Sequence, residues 1–212
     1  MYNCLKDPIA EARHDRQTKA PATGWTNNMS TYITTYTGMR FEPTCPAPDS
    51  IRIEDIAHAL SLICRGNGHV KTFWSVGEHC ILCAKEAAAR GLSRRIVLAC
   101  LLHDASECYM SDIPRPFKQA LPAYREREDA LLDMIYEKFL GAPLSGEEQR
   151  RLKEIDDALL WYDLTQLLDE SPGGDPPRIH MEIDYTVRPF SDVEREYLAL
   201  FDSLTGGARG HT

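Results

Sequence analysis

The chain has 212 residues, 43% of them hydrophobic and 26% charged, with a formal net charge of −8. That composition suits one globular domain able to bury a real core, and the acidic balance excludes general binding to nucleic acid or an anionic membrane surface. No apolar run approaches the roughly 20 residues of a membrane-spanning helix, residues 1–24 lack the apolar run of a signal peptide, and seven irregularly spaced cysteines form no disulfide framework, so a cytoplasmic location is expected.

Residues 1–30 are polar and unpatterned, a flexible tail or a surface strap. Tyr32–Gly38 is rich in β-branched and aromatic residues and reads as a short strand, and Phe41–Ser50, with three prolines, as an extended loop. A first helix is expected over Ile53–Cys64, with Ile53, Ile56, Leu60 and Ile63 at helical spacing and His58 on its exposed polar side. The run Arg65-Gly-Asn-Gly68-His69 ends it in a loop able to approach a ligand closely. Ser75-Val-Gly-Glu78 is a capping box that opens a second helix. His79 lies in its first turn and Gly91 marks its end. Cys80 and Cys83, a CxxC inside this helix, read as small packing residues.

Ser93 caps a central helix. Its seven apolar residues Ile96–Leu102 run directly into His103 and Asp104, and the helix is expected to continue past Glu107 to about Tyr109, before Asp112-Ile-Pro-Arg-Pro116 ends it. A fourth helix covers Pro122–Leu140. Ser145-Gly-Glu-Glu148 is a second capping box, opening a fifth helix to Leu168. Ser171–Phe190 reads as a surface loop. Ser191 starts a last helix with Val193, Tyr197, Leu198 and Phe201 inward, and residues 206–212 form a disordered tail. The expected architecture is an all-α bundle of about six helices, one domain over residues 31–205.

Charged residues at apolar settings single out the chemistry. A helix that is apolar all round belongs in the middle of a bundle, and an ionised aspartate at its end is costly to bury without a cation or strong hydrogen bonds. On the fifth helix Leu152, Ile155, Leu159, Leu160 and Leu167 define one face. Asp156 points into the middle of that face, Asp157 lies at its edge, and Asp163 falls on the same line as Asp156, placed to orient a ligand from behind or to cap a core hydrogen bond. Three helices thus present His79, His103 with Asp104, and Asp156. Two imidazoles and two carboxylates suit one divalent transition metal (Mn, Co, Fe or Zn, with Mg a further candidate) better than calcium. Glu107, one turn beyond His103, is close enough to handle a proton.

The order H…HD…D over a helical bundle resembles the HD-domain metal-dependent phosphohydrolases, most of all the branch with the bacterial 5′-deoxynucleotidases and phage dATP triphosphohydrolases. The resemblance runs from Gly38 to Leu168. It rests on Ile53-Glu-Asp-Ile-Ala-His58, Cys64-Arg-Gly-Asn-Gly-His69, Ser75-Val-Gly-Glu-His79, Leu102-His-Asp-Ala-Ser-Glu107, Asp112-Ile-Pro-Arg-Pro116 and Lys153-Glu-Ile-Asp156. It implies an HD-type helical bundle with His79, His103, Asp104 and Asp156 as metal ligands. Glu107 falls on the catalytic carboxylate, Asp112 on an acid near the substrate phosphate and sugar, and Arg65 on the phosphate-binding arginine. The tryptophan that follows that arginine in the deoxynucleotidases, and helps exclude ribose, is replaced by Gly66, with Trp74 as a stand-in. His69 and Arg115 are further candidate substrate contacts, and Lys118 a weaker one.

The expected function is hydrolysis of a small nucleotide, as a 5′-(deoxy)nucleotidase. The alternatives are a dNTP triphosphohydrolase, a guanosine-alarmone or cyclic-nucleotide hydrolase and, from another class, a non-catalytic nucleotide-binding scaffold. The expected partner is a small-molecule nucleotide, without stable nucleic-acid binding or a membrane. The resemblance also implies a homodimer or larger homo-oligomer.

Overall fold

The computed structural model describes residues 31–207. The first expected tail, 1–30, and residues 208–212 of the second lie outside the described residues. The expected strand is shorter than its sequence signal: β1 (Ile33–Thr34) pairs antiparallel with β2 (Arg40–Phe41), Ile33 opposite Phe41. Asp55 accepts from both the backbone N–H and the hydroxyl of Thr37, at 2.7 and 3.0 Å, which fastens this hairpin to the helix that follows. Phe41, fully buried, stacks on Tyr109 with ring centroids 3.8 Å apart.

Helix α1 (Ile53–Leu62) stops two residues before the expected end, because the chain there turns extended to pair with the entry to the next helix. Cys64 bridges Ser75, and the Val76 N–H donates to the Ile63 carbonyl at 2.9 Å. Helix α2 (Val76–Ala89) begins as expected: Ser75 accepts from the Glu78 N–H while Glu78 accepts from the Ser75 N–H. Gly77 lets α2 approach α1, since a Cβ there would lie 3.2 Å from the Leu60 and Ser61 backbone.

The central helix departs from expectation. Helix α3 (Arg94–Leu102) ends at the histidine, residues 103–106 form turns, and a single-turn helix α4 (Glu107–Met110) follows. The His103 ring donates to the Cys100 carbonyl at 2.8 Å, competing for the acceptor that an unbroken helix offers to the Asp104 N–H. A second unexpected single turn, α5 (Arg115–Lys118), forms within the proline stretch; Pro116 sits in its first turn, where the missing N–H has no intrahelical partner to lose.

Helix α6 (Pro122–Leu140) closes at Gly141 in the left-handed conformation, and α7 (Gly146–Leu168) opens on the Ser145 capping box. Helix α8 (Phe190–Thr205) starts one residue before the expected Ser191, with Pro189 at its N-cap and Gly206 at its C-cap. The result is an all-α bundle whose six longer helices, among the described residues, match the expected number. The paired α2 and α3 form its centre, with α1, α6, α7 and α8 packed around them. The Tyr197 hydroxyl of α8 donates to the Leu101 carbonyl at 2.6 Å in the interior. No described helix is long and apolar enough to cross a membrane.

Candidate metal centre

The turn that follows α3, the first turn of α2 and the middle of α7 meet at one point. His79 is fully buried and His103 nearly so. The Nε2 atom of His79 lies 3.1 Å from Asp156 Oδ1, and that of His103 lies 3.2 Å from Asp104 Oδ2 and 3.8 Å from Asp156 Oδ1. The four candidate ligands, of which Asp156 was picked out by helical phase, are therefore brought together.

Their hydrogen bonds decide what they can hold. His79 Nδ1 lies 2.9 Å from Asp163 Oδ2, and His103 Nδ1 lies 2.8 Å from the Cys100 carbonyl oxygen. A carboxylate and a carbonyl can only accept, so each Nδ1 carries the proton. In the neutral rings both Nε2 lone pairs then face carboxylate oxygens, an arrangement that repels unless a cation stands between them. His103 Nε2 is buried and has no hydrogen-bond partner among the described residues. Protons can serve as that cation. Burial works against a charged His79 and so does Arg65, yet Cys83, Asp156 and Asp163 hold its pKa well above the ordinary value. Burial is likewise outweighed at His103 by Asp104, Cys80 and Cys83. Burial opposes ionisation of Asp104 and Asp156 too, but the neighbouring histidines depress both carboxyls, Asp156 to about 2. A donor set that binds protons this firmly fits a divalent metal, and these residues could hold one. His79, Cys83 and His103, and separately Cys80, His103 and Asp104, each place one donor atom per residue within 4.8 Å of the others.

In front of the cluster lies a cleft of about 330 Å³ bordered by Arg65, Asp112, Arg115, Lys118 and the apolar residues Leu160 and Leu164. Arg65 is placed by the turn that ends α1. Its backbone N–H donates to the Trp74 carbonyl at 2.8 Å, and Gly66 and Asn67 beside it take φ of 58° and 53°. Its guanidinium spans Asp104 Oδ2 at 3.6 Å and Asp163 Oδ2 at 3.3 Å. Glu107 lies under the cleft, 6% exposed, with Oε2 unpartnered among the described residues and Lys118 Nζ 3.9 Å from its other oxygen. Burial first, then the charges of Asp104 and Asp112, push its pKa well above the usual range, which favours its protonated form. Asp112 is raised as well, by burial against the pull of Arg65. Arg115 is exposed and reaches Asp156 Oδ2 at 3.6 Å and Asp157 Oδ1 at 3.5 Å.

Two expected contacts do not reach the cleft. His69 is exposed in its turn and does not border it. Trp74 is 2% exposed and packs its ring 4.9 Å from that of Tyr185, so it is a core residue and no stand-in at position 66. His58, expected on an open face, is half-buried, stacked on Tyr36 and 3.1 Å from Glu194. Two residues were missed. Cys83, read as packing, brings Sγ within 3.5 Å of His79 Nε2; its place one helical turn after His79 was the available signal. Tyr185, in the 171–189 loop, donates to Asp163 Oδ1 at 3.0 Å. That loop is tied down by the Tyr162 hydroxyl on the Pro177 carbonyl and by His180 on the buried Glu86. Nothing local in the sequence marks the Tyr185 contact.

The fold and cluster define a helical-bundle protein with a candidate metal centre at the floor of a polar cleft. The chain belongs to the family of the uncharacterized protein YfdR of Escherichia coli, to which it is 33% identical over 141 residues, 61% of this chain and 76% of that protein. It is also 38% identical to the uncharacterized protein RCAP_rcc00048 of Rhodobacter capsulatus over 126 residues, 56% of this chain and 64% of the relative. No protein-family model matches the chain.

Proposed function

We propose that the protein is an HD-type metal-dependent phosphohydrolase that removes phosphate from small nucleotides, acting as a 5′-(deoxy)nucleotidase. One observation carries the reading: two imidazoles anchored through Nδ1 turn their Nε2 atoms toward Asp104 and Asp156 beneath a cleft edged by cations. His79, His103, Asp104 and Asp156 hold the metal. When bound, it lowers the pKa of water and polarises the phosphoryl group.

The chain's own residues supply the rest. Arg65, fixed between Asp104 and Asp163, presents its guanidinium to phosphate oxygens, and Arg115, free to swing from its exposed turn, adds a second cation. Glu107, whose protonated form is favoured by burial and the neighbouring carboxylates, delivers a proton to the leaving oxygen as a general acid. Asp112, at the cleft border, accepts from a sugar hydroxyl. Leu160 and Leu164 offer an apolar wall to the nucleoside. The small volume suits a nucleotide of this size.

The test is release of inorganic phosphate from nucleoside mono- and triphosphates by metal-stripped protein given Mn, Co or Mg separately. Metal-dependent phosphate release from deoxynucleoside monophosphates is the expected result. Triphosphate release from dNTPs would move the activity to the triphosphohydrolase branch. Nucleotide binding without turnover by folded, metal-loaded protein would make the chain a nucleotide-binding scaffold and overturn the enzyme reading.

A further inference from the structure

The donors around the candidate centre are not all nitrogen and oxygen. Cys83 follows His79 by four residues on α2, so both side chains project from the same face, one turn apart. Cys83 is 1% exposed, and its Sγ lies 3.5 Å from His79 Nε2, the ring atom whose lone pair is turned toward the cluster. His79, Cys83 and His103 bring one donor atom each within 4.8 Å of one another. His103 Nε2, buried and without a partner among the described residues, faces the same cluster.

The spacing is one that two donors on a single cation can take. Zinc bonds sulfur at about 2.3 Å and histidine nitrogen at about 2.0–2.1 Å, so two such donors on one ion, about 90–120° apart, lie roughly 3.1–3.8 Å from each other. The observed 3.5 Å falls within that range.

We propose that Cys83 is a thiolate ligand of the metal, joining His79 and His103 on the inner side of the centre. The inference rests on the metal centre proposed above and adds a fifth donor to it. Binding transfers the thiol proton to solvent, since only the thiolate ligates. A sulfur donor beside two imidazoles biases the site toward zinc or cobalt and away from magnesium and manganese.

The test uses the full chain loaded with cobalt(II), whose visible d–d bands report binding by any donor set and whose sulfur-to-cobalt charge-transfer band reports a thiolate. The expected spectrum shows both, with the charge-transfer band lost in Cys83→Ser and kept in Cys45→Ser. Cys83→Ser should also weaken zinc binding at least about tenfold while manganese affinity moves little. X-ray absorption on the zinc-loaded, unaltered chain needs no variant and should show a sulfur neighbour at about 2.3 Å. Bound cobalt without the charge-transfer band, zinc without a sulfur neighbour, or a band that survives Cys83→Ser overturns the thiolate ligand and leaves the phosphohydrolase reading standing. Failure of the folded chain to retain cobalt on equilibrium dialysis overturns the metal centre, and this inference with it.

Discussion

Behind the imidazoles, α2 and α3 present Cys80, Cys83 and Cys100, all essentially unexposed and packed in the apolar centre of the bundle. In front of them, Arg65, Asp112, Arg115 and Lys118 border an open cleft. The two walls share the same four candidate ligands but offer opposite environments. The inner wall excludes water, so the protein alone decides which atoms meet a cation there. Burial is the first cause raising the Cys80 thiol, and the same cause pushes the Cys100 thiol up to about 12. The outer wall is charged and partly wet, and its arginines and carboxyls can exchange their mutual contacts for those of a ligand. Changes at the shared ligands and the inner wall should therefore act on metal binding, and changes on the outer wall on turnover.

Asp104→Ala strikes the line where the walls meet and should have the largest effect. Metal affinity should fall by more than about 100-fold, beyond the range for losing a partner behind a ligand, and activity should disappear with it. Full metal content by equilibrium dialysis in this variant would break the ligand assignment. Glu107→Gln, on the outer wall, should keep its metal and lose about 10²- to 10⁴-fold in turnover, as removal of a general acid does. Metal loss equal to that of Asp104→Ala would show that Glu107 belongs with the ligands. Asp163→Asn weakens the acceptor that anchors His79 Nδ1 and should cost about 10- to 100-fold in metal affinity. Tyr185→Phe removes only the hydroxyl that donates to Asp163, so its effect should be the smaller of the two; titration with zinc against a competing chelator ranks them.

The gentlest probe is pH. His79 and His103 have folded pKa values raised from 6.5, so their contribution to stability is complete below about pH 6.5 and is lost as pH rises through the folded values. Glu107, raised from 4.5, acts in the same direction, because the folded state retains a proton that the unfolded chain releases. Asp156, depressed from 3.8 to about 2, contributes above pH 3.8 and loses that contribution as pH falls toward 2. Metal-free protein should thus lose thermal stability as pH rises above 6.5. Saturating zinc should reverse that trend, since zinc needs the deprotonated ligands. Melting temperatures across this range, with and without zinc, read both slopes, and a metal-free melting temperature that climbs with pH would contradict the protonated cluster.

Local chemistry made most of the fold legible. Ser75 and Ser145 cap their helices through contacts three residues away, and Gly91, at a φ of 71°, follows the end of α2. The phase of α7 distinguished Asp156 from Asp157, because a fixed rotation per residue carries one of them into the apolar face. The same rule put Asp163 behind the ligands, where it meets His79. These signals depend on spacings of three to seven residues, which an amino-acid sequence states directly.

What remained hidden depends on contacts between distant segments. Arg65 reaches Asp163 across 98 positions, and His79 reaches it across 84. Trp74 and His69 sit five residues apart beside the same turn, yet one is sealed in the core and the other left in solvent. Cys83 looked like any small core residue until the rotation of α2 against α3 and α7 turned its sulfur toward His79 Nε2. The break at His103 had the same origin, a ring that competes for a carbonyl which helical propensity assigns to the backbone. The sequence by itself determined the six longer helices, the serine caps of α2, α3 and α7 and the candidate ligands, because those follow from local periodicity and hydrogen bonding. Only the tertiary structure decided which donors share a cavity, because that depends on the mutual rotation and depth of packed helices.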